Sequence, residues 1–158
     1  MQVSSFKDLP LNQEVLRSLN ELGFDQLFPI QAQAITPLLQ GKDVIGQAQT
    51  GTGKTAAFGV PMVQNLNRDI RGVQGLVLAP TRELANQDAE NIAKFGKHSK
   101  VKVLAVYGGE SINKQIHALA SGVQIVVGTP GRIIDLMERR VLNLSGIKFV
   151  VLDEADEM

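Results

Sequence analysis

The stretch Ala48-Gln49-Thr50-Gly51-Thr52-Gly53-Lys54-Thr55 holds the residue types that grip phosphate. Gly51 and Gly53 let the backbone turn so that several N–H groups face one anion. A helical pattern starts at Lys54, and its N-terminal dipole favours the same negative charge. Lys54 has the reach for terminal phosphates, and the Thr55 hydroxyl suits Mg²⁺. Such loops usually open with glycine, where this chain has Ala48. A second candidate group lies 99 residues beyond Lys54, where the apolar run Phe149–Leu152 meets Asp153-Glu154-Ala155-Asp156. A carboxylate at a strand end can hold Mg²⁺ through water, and its neighbour can activate the attacking water. Taken alone, those acids would equally suit a helix start. Together, Lys54, Asp153 and Glu154 read as a catalytic set for nucleoside-triphosphate hydrolysis, with Thr55 and Asp153 toward the metal. That reading expects the turn at Lys54 and the acids to converge on one magnesium–triphosphate.

Positioning such groups takes strands that end where loops begin. Short β-branched runs predict strands at Asp43–Gly46, Gly75–Ala79, Val101–Val106, Val123–Gly128 and Lys148–Leu152. Between them lie helical stripes. Val15, Leu16, Leu19 and Leu22 form one, capped by Asn12 and stopped by Gly23. Leu84, Ala85, Ala89, Ile92 and Ala93 form another, and Ile112, Ile116 and Leu119 a third capped by Ser111. Thr129-Pro130 predicts a further helix start, with Thr129 as its cap and Ile133, Ile134 and Met137 on one side. Pro61 falls inside the helix after Lys54 and is expected to disturb it. Strand–helix alternation predicts an α/β fold: a mostly parallel sheet with helices on both faces.

Composition narrows the classes. The 158 residues carry sixteen basic and sixteen acidic side chains, and the signs also balance within each half. A protein that holds nucleic acid by charge alone would be basic. The chain has no cysteine, which excludes disulfides and thiolate metal sites, and only His98 and His117, which excludes a histidine cluster. No apolar run approaches the about 20 residues of a membrane span. The opening residues lack the pattern of a signal peptide, so the expected setting is reducing and cytoplasmic. The lysines at 94, 97, 100 and 102 read as a solvated face, and both histidines as surface residues.

With these motifs in order, the chain resembles the DEAD-box RNA helicase family, in particular its N-terminal RecA-like domain of bacterial and archaeal type. Phe6, then Gly23-Phe24 seventeen residues on, then Pro29-Ile30-Gln31 looks like the adenine-recognising Q motif and its upstream aromatic. Where the family commonly has proline and a small hydroxyl residue, this chain has Leu27 and Phe28. The phosphate loop, residues Ala48 to Thr55, is the family's own version, which accounts for Ala48. Pro80-Thr81-Arg82, Gly108-Gly109 and Thr129-Pro130-Gly131-Arg132 look like the family's RNA-backbone motifs. Asp153–Asp156 is its name-giving tetrad.

The resemblance implies residues 1–40 as an extension carrying the Q motif and 41–158 as the RecA-like ATP-binding domain. It implies ATP and Mg²⁺ as cofactors. Its partners are RNA, contacted through the backbone without sequence reading, and a second RecA-like domain that completes the ATPase. Phe6 would stack on the base and Gln31 would pair with adenine. Read without the motif, Phe6 is a core residue and Gln31 a short-helix residue. The family's domain continues through another strand that lies between the phosphate-loop strand and the acid-bearing strand. The fold is therefore expected to be incomplete at its C-terminal end, leaving two strands without a neighbour. The residues 1–158 alone are expected to turn over ATP feebly or not at all. The alternatives are another P-loop ATPase of the same superfamily and a non-catalytic nucleotide- or RNA-binding module.

Overall fold

The computed structural model describes residues 3–49 and 51–158. Two compact units emerge: one formed by the residues up to Asn65 with Asn91–Lys100, the other by Leu66–Glu90 with Val101–Met158.

The second unit carries a four-stranded parallel sheet. Its strands are β1 (Gly75–Leu78), β2 (Val103–Val106), β3 (Ile125–Gly128) and β4 (Phe149–Leu152), in the order β2-β3-β1-β4. Each is an apolar run of four residues, and the pairing is in step: Leu76 lies beside Val126 and Val150, and Leu104 beside Val126. Side chains in step share a face. One face packs Leu76, Val106 and Val126 with Ile133 and Leu136 of α6 (Pro130–Glu138) and with α5 (Ile112–Ala120). The other carries Val77 and Val127, equally buried, so β1 and β3 are covered on both sides. At β4 the cover stops. Val150 and Leu152, on the α6 face, are 59% and 56% exposed.

The first unit is helical. In α1 (Gln13–Glu21) the Asn12 side chain accepts from Val15 N at 2.9 Å, as the sequence predicts. Behind it come α2 (Pro29–Leu39) and α3 (Lys54–Gln64), which runs on through Pro61. Gln64 Oε1 accepts from Asn12 N at 2.9 Å and ties α3 to the start of α1. The rings of Phe6, Phe24 and Phe95 follow one another at 5.7 Å centroid spacing. Gly59 leaves room for Ile92 and Phe95, since a Cβ there would lie 3.1 Å from each. These two residues close α4 (Arg82–Phe95), which begins in the second unit. His98 is half-buried rather than a plain surface residue, and its Nε2 lies 2.8 Å from Glu21 Oε2. That hydrogen bond holds the Glu21 carboxyl below its ordinary range.

Two expectations need correcting. Asp43–Gly46 forms no strand; the segment is exposed, with Ile45 bare, and has no ladder partner among the described residues. An apolar run becomes a strand only when a neighbour satisfies its backbone. Ser111 and Thr129 occupy N-cap positions, but neither side chain makes a capping bond. No helix among the described residues is long and apolar enough to cross a membrane.

Candidate functional site

In the first unit, Gly51 and Gly53 of the glycine-rich loop sit at φ +83° and +80°, the left-handed region that glycine enters without strain. Gly53 is the N-cap of α3, and no side chain caps that helix. A helix N-terminus behind a glycine turn is a geometry that favours an anion. Gln31 is 2% exposed and braces the loop: its Nε2 donates to Gly53 O at 3.1 Å, and its Oε1 accepts from Phe28 N at 2.9 Å. A Cβ at Gly53 would collide with that amide and come within 2.9 Å of the Phe28 ring. The Thr52 hydroxyl donates to Gln49 O and tightens the turn. Ala48, Gln49, Lys54 and Thr55 flank these glycines in the chain, while the predicted ligand Thr50 lies outside the described residues.

Phe6 is 2% exposed against Phe24 and lines a groove of about 700 Å³ with Arg17, Phe24 and His98. Gln31 is not among the residues of that groove, so the two predicted base-contacting residues do not share it.

In the second unit, the strand ends do the positioning. Ala79 N donates to Gly128 O, Thr129 N to Val106 O and Asp153 N to Leu78 O, at 3.0, 3.1 and 2.9 Å. Because the strands are parallel and in step, the chain leaves all of them along one edge, where sheets of this type bind ligands. Asp153 is buried at 7% exposure. Glu154 follows at φ 50°, ψ 50°, a left-handed conformation rare outside glycine and costly for a glutamate. The other predicted motifs meet on the same edge. Pro80 precedes α4, and Thr81 Oγ1 accepts from Leu84 N at 3.1 Å as its cap. Arg82 lies over the Tyr107 ring at 4.8 Å, and its Nη2 pairs with Glu110 Oε1 at 3.0 Å. A Cβ on Gly109 would sit 3.7 Å from Arg82 Nη1, whereas at Gly108 and Gly131 it would meet open space. After Pro130 opens α6, Arg132 Nη1 donates to Glu110 O at 3.3 Å and to Gln115 Oε1 at 2.9 Å.

Tyr107, Glu110 and Gln115 were missed by the sequence analysis. Only Gln115 left a signal there, as a polar residue interrupting the buried side of α5; its Nε2 donates to Tyr107 O at 3.1 Å.

These features fit a magnesium nucleotide. In the first unit Gly51 and Gly53 turn the loop at positive φ into the start of α3, where Thr55 carries a hydroxyl; in the second unit Asp153 offers a carboxylate, and both are hard oxygen donors. No three His, Cys, Asp or Glu side chains cluster as a metal cage among the described residues. Mg²⁺ bound largely by phosphate and water needs no such cage.

The second unit thus carries a parallel sheet with strand-end acids and three polar loops along one edge, and the first unit a glycine-rich loop that opens a helix. Residues 28–158 match the family model described as DEAD/DEAH box helicase, and the chain belongs to that family. It is 53% identical over 156 residues to the DEAD-box ATP-dependent RNA helicase CshA of Bacillus cereus, covering 99% of this chain and 30% of that protein. It is 54% identical over 153 residues to CshA of Streptococcus pneumoniae, covering 97% and 29%. The fold superposes on the crystal structure of a DEAD box protein from the hyperthermophile Methanococcus jannaschii with a TM-score of 0.94. That match has 40% identity and covers 100% of this chain and 43% of that one. The expected RecA-like fold is therefore present. The chain spans about 30% of the length of the curated relatives it matches.

Proposed function

We propose that this chain supplies the ATP-handling residues and one RNA-backbone face of an ATP-dependent RNA helicase. The observation that carries the reading is the shared sheet edge, where Thr81, Arg82, Gly109, Arg132, Asp153 and Glu154 leave adjacent strands. Residues 48–55 would hold the triphosphate, with Lys54 on its terminal oxygens and Gln31 on adenine. An amide can make four hydrogen bonds, and the two described for Gln31 leave capacity for a base. Thr55 and Asp153 would hold Mg²⁺, which neutralises charge on the β- and γ-phosphates. Glu154 would take the proton of the attacking water. The exposed loop amides and Thr81 would bind phosphates, which positions RNA without reading its sequence. A second RecA-like domain would complete the ATPase and couple ATP binding and hydrolysis to local opening of an RNA duplex.

The test is ATP turnover by the full protein with and without single-stranded RNA, with DNA as the comparison. RNA is expected to raise turnover several-fold above DNA, and equal rates in all three conditions would refute the reading. Gln31→Ala is expected to cut the preference for ATP over GTP by roughly 10-fold, the worth of one bidentate base contact. Competition of the two nucleotides in the same assay measures it.

A further inference from the structure

We propose that Glu110 is a built-in competitor for RNA phosphate: its carboxylate holds Arg82 in the place an incoming backbone phosphate would take. The proposal rests on the RNA-backbone reading above.

Three observations carry it. Arg82 Nη2 lies 3.0 Å from Glu110 Oε1, a charge-assisted bond of the kind a phosphate oxygen would make. The guanidinium is also placed by its neighbours, over the Tyr107 ring at 4.8 Å and beside Gly109. It is therefore aimed at this spot whether or not the carboxylate is there. Finally, both partners are accessible, with side-chain exposures of 47% and 41%, so a polyanion can reach the pair.

Glu110 has a second, separable role. Its backbone oxygen, not its carboxylate, accepts from Arg132 Nη1, and Gln115 holds the same guanidinium. The loop geometry is thus tied down through neutral acceptors, while the charged end pairs with Arg82. Among the described contacts, the carboxylate removes one positive charge from the face that would meet RNA. An RNA phosphate must displace it and then sit beside it. The result is an affinity set lower than the arginine count implies.

Glu110→Gln separates the two roles, since glutamine keeps the shape and the neutral acceptor but not the charge. In the full protein, fluorescence anisotropy with a labelled single-stranded RNA is expected to show about two- to fivefold tighter binding, the range of an exposed ion pair. The slope of log affinity against log salt is expected to steepen by about 0.7, one more phosphate contact on a single strand. Melting temperature is expected to stay unchanged. Equal or weaker binding with an unaltered slope would overturn the proposal, because a mere brace predicts that result. Arg82→Ala keeps the two readings apart. If it weakens RNA binding while Glu110→Gln does nothing, only the competitor role falls. If it leaves RNA binding unchanged, the RNA reading of this face falls and the competitor role with it.

Discussion

Glu154→Gln is expected to lower ATP turnover by about 10²- to 10⁴-fold while leaving nucleotide affinity within a few-fold of wild type. The two side chains are nearly the same size, so packing and strand pairing survive. What is lost is proton affinity, since an amide cannot take the proton from water at neutral pH. The local backbone supports placing the chemistry here. Asp153 N is anchored to Leu78 O at the end of β4, and the next residue turns into the left-handed region at φ 50°. A glutamate held in that conformation costs about 1–3 kcal/mol, and such costs concentrate at working residues. Single-turnover hydrolysis and equilibrium binding of a fluorescent nucleotide separate the two quantities. Unchanged turnover would move the base elsewhere, whereas loss of binding would make Glu154 a nucleotide ligand instead.

Leu136→Ala carries the largest expected cost in stability. Leu136 is fully buried in the cluster that joins α6 to β1, β2 and β3. Its carbonyl also accepts from Val141 N and Leu142 N, which turns the chain out of α6. Truncation removes apolar contacts and leaves a cavity that close-packed neighbours only partly fill, so about 2–5 kcal/mol should be lost. The midpoint of thermal unfolding is then expected to fall by roughly 5–15 °C. Met137, one residue on and 45% exposed, is the control. Met137→Ala should stay within about 0.5 kcal/mol of wild type. Equal midpoints for the two variants would place the core elsewhere.

Much of this architecture was legible in the residues. Four of the five expected strands and the expected helices form, because buried runs and helical stripes are local patterns; α6 departs, burying Ile133 and Leu136 while Ile134 and Met137 of its expected stripe are exposed. Asn12 was readable as a cap for the same reason. The exception, Asp43–Gly46, shows that periodicity reports the capacity to be buried but not the presence of a partner strand. The site divides the same way. Gly51, Gly53 and the strand-end acids announce themselves by type and spacing. The pairing of Arg82 with Glu110 does not, since it needs three separate loops to meet at one sheet edge. Phe6 was read both as a core residue and as a base-stacking one, and its ring is 2% exposed against Phe24, as the core reading has it. A motif names the residue type, whereas its neighbours in space set how much of the side chain is on offer.

The bare side of β4 has a consequence for handling the protein. Val150 and Leu152 face outward on a strand whose outer rim pairs with nothing among the described residues, and rims of that kind recruit further copies into ordered aggregates. Lys148 stands before the run, and Asp153, Glu154, Asp156 and Glu157 follow it. In a stack of aligned copies those like charges would lie on top of one another and repel. The acids proposed for hydrolysis would therefore also act as gatekeepers of solubility. Neutralising Glu154 removes one of these guards, so Glu154→Gln should be the stickier variant in the tube.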